Sequence, residues 1–255
     1  SYMWTFIAEK LVGYEYSPSR SGETPARVLG ESKGFLQVDA YSGYNRVTTP
    51  KGRRRVGCWA HARRYFYKAL ETVPVEAQHV LDRILDLYEV EYQAAEKDVL
   101  GTDEHRDMRQ ALSKPIIDDL KKWLDEQEPL HPPKSPLGEA ITYTRGNWVT
   151  LARFIDDPLL RLDNNVSERN LRLIALGRRN FLFVGNDEAG KSLAILQTLV
   201  SSCNANGVNP EEYLTDVLLR VQDHPRSRID ELLPHLWKPP LRETAQQEAV
   251  TTSAS

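Results

Sequence analysis

Apolar positions recur at helical spacing along most of this chain, and the exceptions cluster near its start. Residues 2–8 (YMWTFIA) and 13–16 (GYEY) are dense in aromatic and β-branched side chains, which predicts two strands joined around residues 9–12. A polar turn containing Pro18 follows, and residues 24–29 predict a short helix starting at Pro25. Residues 34–39 (GFLQVD) are a compact apolar run ended by a carboxylate. That reads as a buried strand with Asp39 at its C-terminal end. Residues 56–60 predict a further short strand and 61–72 a helix.

The middle of the chain changes period. Val80, Ile84, Leu85, Leu87 and Tyr88 mark a helix over residues 75–97. Met108, Ala111, Leu112, Ile116, Leu120 and Leu124 mark another over 104–125, which Pro115 should kink or divide. Four prolines in residues 129–136 break the pattern, and 137–155 are helical again through Ile141, Trp148, Leu151 and Phe154. Beyond this block come a helix over 163–176, a buried strand over 180–184 (NFLFV), and helices over 192–205, 210–221 and 229–236. The organisation expected is an α/β domain in two parts, residues 1–73 and 158–237. An all-helical insertion at 74–157 separates them, and a disordered tail fills 238–255.

Composition adds little except through charge placement. The 255 residues carry 33 Lys plus Arg against 36 Asp plus Glu, with 40% hydrophobic and 27% charged. That excludes a disordered or collagen-like chain. No apolar run approaches bilayer length and no leader pattern opens the chain, so no membrane association is expected. Cys58 and Cys203 form no disulfide framework, which points to a reducing cytoplasm. The signs, however, are segregated. No acidic residue falls between Asp39 and Glu71, where Arg46, Lys51, Arg53, Arg54, Arg55, Arg63, Arg64 and Lys68 lie. Arg169, Arg172, Arg178 and Arg179 make a second basic run, whereas residues 71–128 hold 16 acids and seven bases. Basic segments interleaved with Tyr44, Trp59, Tyr65 and Phe66 suit polyanion binding, and solvated helix faces are the plainer alternative.

Three motif matches carry little weight. Residues 185–192 (GNDEAGKS) fit the phosphate-binding pattern GxxxxGK[ST], yet Asp187 and Glu188 would sit inside the cradle and no later strand could supply a metal-holding Asp. Cys58-x-x-His61 is half of a zinc site without a second half. Asn165-Val166-Ser167 is a glycosylation sequon only in a secreted chain. The pair that could do chemistry is Asp39 and Glu168. Two carboxylates on different elements, flanked by basic runs, suit divalent cations acting on a phosphodiester. Each also has a structural reading: Asp39 as a turn-starting residue before Ser42-Gly43, and Glu168 as the partner of Asn165 in a capping box or of Arg172 in a helical ion pair.

Longer stretches carry a family resemblance. LQVDAYSGY (36–44), VGCWAHARRYF (56–66), LDNNVSERNLRLIALGRRNFLFVGND (162–187) and the ending NGVNPEEYLTDVLLRV with LLPHLW occur in order. Together they resemble the transposases of the insertion sequence sixty-six family, bacterial DDE transposases with an α/β, ribonuclease H-like catalytic domain of retroviral-integrase type. The resemblance implies that Asp39 is the second metal-binding aspartate and Glu168 the metal-binding glutamate, that both are catalytic, and that the helical block is the family's insertion. It implies Mg2+ or Mn2+ as cofactor, with water and then a 3′-hydroxyl as nucleophile. The implied partners are DNA, at element ends and target, a second copy of the chain, and other element-encoded proteins. Arg53, Arg54, Arg55, Arg63, Arg64, Arg169, Arg172, Arg178 and Arg179 would contact the DNA, and the setting would be a bacterial cytoplasm, at the nucleoid. The family's first aspartate lies upstream of the YMWTF strand, and no Asp precedes Asp39. The chain is therefore expected to be a carboxy-terminal portion, short of the fold's opening strand and inactive alone. The alternative is a non-catalytic remnant that serves as a DNA-binding or interaction module.

Overall fold

Two strands open the chain, β1 (Tyr2–Ala8) and β2 (Leu11–Ser17), separated only by Glu9 and Lys10. So short a link requires an antiparallel hairpin, and Glu9 takes a φ of 39° at its tip. Helix α1 (Glu23–Leu29), strand β3 (Phe35–Gln37), a 3₁₀ turn at Ser42–Arg46 and strand β4 (Arg54–Val56) follow. Then come helices α2 (Trp59–Ala69), α3 (Pro74–Glu96), α4 (Asp103–Met108) and α5 (Lys114–Gln127). Helices α6 (Pro136–Gly146) and α7 (Trp148–Leu151) complete the helical run. Helices α8 (Asn165–Asn180), α9 (Asp187–Ala205) and α10 (Pro210–Arg220) precede a 3₁₀ segment at Arg226–Leu232.

The computed structural model describes residues 1–180 and 185–239, without the side chains of residues 178–180. Of the strand expected at 180–184, only Asn180 is described, and it ends α8. The rest of that strand, and the expected tail from residue 240 on, lie outside the described residues. Among the described residues no helix is long and apolar enough to cross a membrane. The chain divides into two compact units, residues 1–2 with 17–176, and residues 3–16 with 177 onward.

In the first unit β3 and β4 pair in parallel, Phe35 opposite Arg54 and Gln37 opposite Val56. The Val38 amide extends the ladder to the Val56 carbonyl at 3.1 Å. Phe35, Leu36 and Gln37 are only half-buried, which corrects the expectation of a buried strand. Among the described residues each strand has a single partner and the sheet is two strands wide. The strand expected over 56–60 also ends early. Trp59 turns into the core instead, its Nε1 donating to the Leu151 carbonyl at 3.0 Å and its amide to the Leu162 carbonyl at 2.9 Å. From there α2 presents Trp59, Ala62, Phe66 and Ala69 to a core shared with Ile84 and Leu87 of α3, Leu120 and Leu124 of α5, and Ile141 of α6. Leu85, counted among the apolar positions of α3, is instead 65% exposed.

The helical register breaks where Pro115 stands. Pro115 has no N–H and its ring crowds the carbonyl four residues back. The chain accommodates it without a break, by widening residues Arg109–Ser113 into a π turn between α4 and α5, with the Lys114 amide reaching back to the Arg109 carbonyl. The extra residue rotates the buried face. Ala111 and Leu112, expected inside, are exposed, and His105, Arg109 and Ser113 are buried in their place. Arg109 is 1% exposed and fully engaged. It forms a two-pronged pair with Glu91 at 2.8 and 2.6 Å and donates to the carbonyls of Phe154, Asp157 and Leu160 at 2.8–2.9 Å.

In the second unit a polar stripe, Thr198 and Ser202 of α9 with its C-cap Asn206, binds the hairpin backbone. Thr198 accepts from the Tyr14 amide at 2.8 Å, Ser202 bonds both the amide and the carbonyl of Val12, and Asn206 donates to the Lys10 carbonyl at 2.8 Å. Side-chain hydroxyls thereby occupy strand-edge groups that would otherwise invite another strand. Cys203, Tyr213 and Trp237 form a separate small core, tied by Tyr213 Oη to the Leu232 carbonyl and by Trp237 Nε1 to Asp216 at 2.7 Å each.

Removing Arg109 while leaving Glu91 strands a carboxylate and three carbonyls. Arg109→Met should cost about 3–5 kcal/mol, read as a lower urea midpoint. The double variant with Glu91→Leu should recover part of that loss. A single variant as stable as the parent would show that the cluster does not hold the helices.

Candidate active site

Asp39 lies two residues beyond the end of β3. Its Oδ1 accepts from the Tyr41 amide at 3.1 Å, so the turn-starting role read from the sequence is in place. Its negative charge also acts on its surroundings. Burial first, and Asp39 second, push the Tyr44 phenol up to about 12. Arg55 reaches the same region from β4. Burial lowers its pKa while Asp39 opposes that shift, and one Nη donates to Tyr41 O and Asn45 Oδ1 at 3.2 and 3.1 Å.

Glu168 sits in the first turn of α8, and the start of that helix differs from the capping box expected. Asn164 supplies the first helical carbonyl, accepting from the Glu168 amide at 3.2 Å. Asp163 accepts from the Asn165 amide at 3.0 Å, and the Asn165 side chain donates to the same carboxylate at 2.7 Å. Asn165 is turned back onto Asp163, and the Glu168 carboxylate faces α2. Its oxygens lie 3.4 Å from His61 Nε2 and 3.7 Å from Arg64 Nη2.

Tyr143 of α6 lies within electrostatic range of Asp39 and of Arg64. Its phenol is pushed up by burial and by the charges of Cys58 and Asp39, against a lowering pull from Arg64, the residue that pairs with Glu168. That half-buried ring also stacks on Tyr65 at 4.5 Å between centroids. His61 and Tyr143 were not read as site residues from sequence. The half-motif Cys58-x-x-His61 was a signal for His61, with the wrong chemistry attached. Cys58 is 1% exposed at the N-cap of α2, and burial pushes its thiol up although the amides of Asn164, His61 and Ala60 pull it down. Tyr143 carried no signal, since only folding brings α6 against α2.

The basic residues divide by neighbourhood. Arg53 donates to Ser32 Oγ and to the Phe35 carbonyl, and Arg55 to the groups above, so both are engaged within the protein. Arg54, between them, points outward over the Phe35 ring at 4.1 Å, as side chains alternate on a strand. Arg63 and Arg64 on α2 and Arg169 and Arg172 on α8 are exposed. Arg178 and Arg179 fall at the end of α8, their side chains outside the described residues. The GxxxxGKS match cannot cradle phosphate. From Asp187 it is helical, Asn186 caps it by accepting from the Ala189 amide at 2.9 Å, and Lys191 pairs with Glu188 at 2.7 Å.

The hard carboxylate oxygens of Asp39 and Glu168 are the donors that Mg2+ or Mn2+ takes. Among the described residues, however, no group of three or more His, Cys, Asp or Glu is arranged to hold a metal ion. The chain supplies two donors of the right kind and not a complete coordination set.

Tyr44 gives a direct check on the surroundings of Asp39. Its neutral form is favoured in the fold, so the associated stability is present below pH 10, the ordinary phenol value, and is lost as pH rises towards about 12. An alkaline absorbance titration should show a late tyrosinate phase, shared with other raised phenols such as Tyr213 and Tyr143, whose amplitude falls by one tyrosine in Tyr44→Phe. A Tyr44→Phe titration superimposable on the parent's would contradict this placement.

Over residues 1–192 the chain matches a family described as Transposase IS66 family, and over residues 198–235 the IS66 C-terminal element. Among curated proteins it is similar to uncharacterized protein y4hP of Sinorhizobium fredii, 34% identical over 92% of this chain and 47% of that one. Uncharacterized protein y4jD of the same organism is 32% identical over 92% of this chain and 47% of its own length. Uncharacterized protein y4qI, also of Sinorhizobium fredii, is 32% identical over 90% and 44%. The chain spans about half the length of these relatives. No solved structure matches it.

Proposed function

The chain belongs to the IS66 transposase family, and on that premise we propose that it is the catalytic portion of a DNA transposase that cleaves and joins strands at element ends. The observation that carries the reading is the setting of Glu168. The first turn of α8 delivers its carboxylate to His61 and Arg64 of α2. In this reading His61 and Arg64 hold the Glu168 carboxylate in orientation. The exposed Arg54, Arg63, Arg64, Arg169 and Arg172 offer cations to the phosphates of the strand, a contribution that weakens with salt. A ribonuclease H-like architecture is part of the same proposal, with β3 and β4 as its parallel strands and α8 as the helix that bears the glutamate. Divalent ions, when bound, supply the charge that activates the attacking oxygen and stabilises the leaving one.

A second reading is favoured by one observation. With only Asp39 and Glu168 as donors and no group of three among the described residues, the chain by itself would bind DNA without cutting it. A third carboxylate from a longer polypeptide would then complete the site.

The two readings separate in one assay. A polypeptide carrying this chain together with the upstream aspartate-bearing segment should nick element-end DNA with Mg2+ and lose the activity with a chelator. Asp39→Asn and Glu168→Gln should each lower cleavage by about a thousandfold or more, since carboxylates that hold a catalytic ion are not replaced by amides, while DNA binding is kept. Full cleavage in either variant would remove that residue from the catalytic assignment. No cleavage by the extended polypeptide would favour the DNA-binding module.

A further inference from the structure

Beside Glu168 lies a cleft of about 450 Å³, formed by α2, α3 and the first residue of α8. Its composition is unlike the surface around it. Arg63 and Arg64 provide two cations, while Tyr67 of α2 and Leu85 of α3 expose 60% and 65% of their surfaces into solvent. Val75 and Tyr92 of α3 are exposed as well, but only Tyr67 and Leu85 line this cleft, and together they leave wettable apolar area that a ligand could cover. The floor is fixed: Tyr88 donates its hydroxyl to Asp163 at 2.7 Å, and Asn165 is held by the same carboxylate. The Arg63 guanidinium lies 6.0 Å from the Tyr67 ring centroid, and Arg64 lies 3.7 Å from Glu168 at the cleft's other side.

An aromatic face, an aliphatic neighbour and two guanidinium groups match the two halves of a nucleotide, a flat base and a phosphate. The volume is within the range of small-ligand sites and far below what a duplex needs. We infer that this cleft holds a single unstacked nucleotide of the DNA strand, its base against Tyr67 and Leu85 and its phosphate on Arg63 and Arg64. The inference rests on the transposase reading for the identity of the strand, and goes beyond it in stating that one base leaves the stack beside the candidate carboxylate. Base-on-aromatic stacking is tolerant of sequence, so the cleft selects unpaired structure and not a particular base.

The test uses this chain and two DNA probes of equal length. One is a fully paired duplex, and the other carries one unpaired 2-aminopurine. The bulged probe should bind about tenfold more tightly, the scale expected for one added stacking contact, and its fluorescence should be quenched on binding. Tyr67→Ala should bring the two affinities together and remove the quenching without changing affinity for the paired duplex. Tyr67→Phe should behave like the parent. Because Tyr67 is exposed, neither change disturbs the core. Equal affinity for both probes, or a preference that survives Tyr67→Ala, overturns the cleft assignment and leaves DNA binding standing. Failure to bind either probe overturns both readings. A free deoxynucleoside monophosphate that displaces the bulged probe at equal concentration overturns DNA as the source of the nucleotide.

Discussion

A buried guanidinium is costly unless every donor finds an acceptor, and Arg109 meets that constraint by gathering five. Two are the oxygens of Glu91 on α3, and three are the carbonyls of Phe154, Asp157 and Leu160. Those carbonyls belong to the stretch through which the chain leaves the helical block and approaches α8. With residues 154–160 fixed, Leu162 can accept from the amide of Trp59, Asp163 can bind Tyr88 and Asn165, and Asn164 can begin the helix that bears Glu168. The stretch that leads into the helix of the candidate glutamate is thus anchored by a charge buried far from it in sequence. The helical block is part of what builds the site.

The same logic explains how the charges are used. Part of the acidic content of residues 71–128 lies in ordinary helix-surface pairs such as Lys114 with Asp118 and Arg83 with Asp86. Such pairs contribute little each. The basic segments are unbalanced in sequence, and the fold spends some of those cations inside. Arg53 and Arg55 stabilise the turns around β3 and β4, which leaves Arg54, Arg63 and Arg64 of α2, and Arg169 and Arg172 of α8 facing outward. Arg64 belongs to both groups, exposed yet near Glu168, so the candidate carboxylate and the candidate phosphate-binding surface share a residue.

Much of the scaffold was legible because amphipathic periodicity is a local property. The helices α3 and α10 and the opening hairpin fall within a few residues of where apolar spacing put them. What was illegible depended on events outside a local window. Pro115 announced a disturbance, but nothing in the pattern said that it would be absorbed as a π turn that exposes Leu112 and buries Arg109. Asn165 and Glu168 matched a capping box, yet Asp163 captured Asn165 and the helix began one residue earlier. Three adjacent arginines looked equivalent until strand alternation separated Arg54 from its neighbours. Of the candidate site, Asp39 and Glu168 came from the family's motifs and His61 from a half-motif that carried little weight, while nothing marked Tyr143, which meets Tyr65 only once α6 packs on α2.

The central proposal is that Asp39 and Glu168 serve one divalent ion, and iron-directed cleavage tests it most directly. Fe2+ bound in place of Mg2+, with ascorbate and peroxide, cuts the backbone beside its own ligands. The account predicts cuts near both residue 39 and residue 168, with both lost together in Asp39→Asn and in Glu168→Gln. Cuts at one position alone, or cuts at one that persist when the other carboxylate is removed, would contradict it.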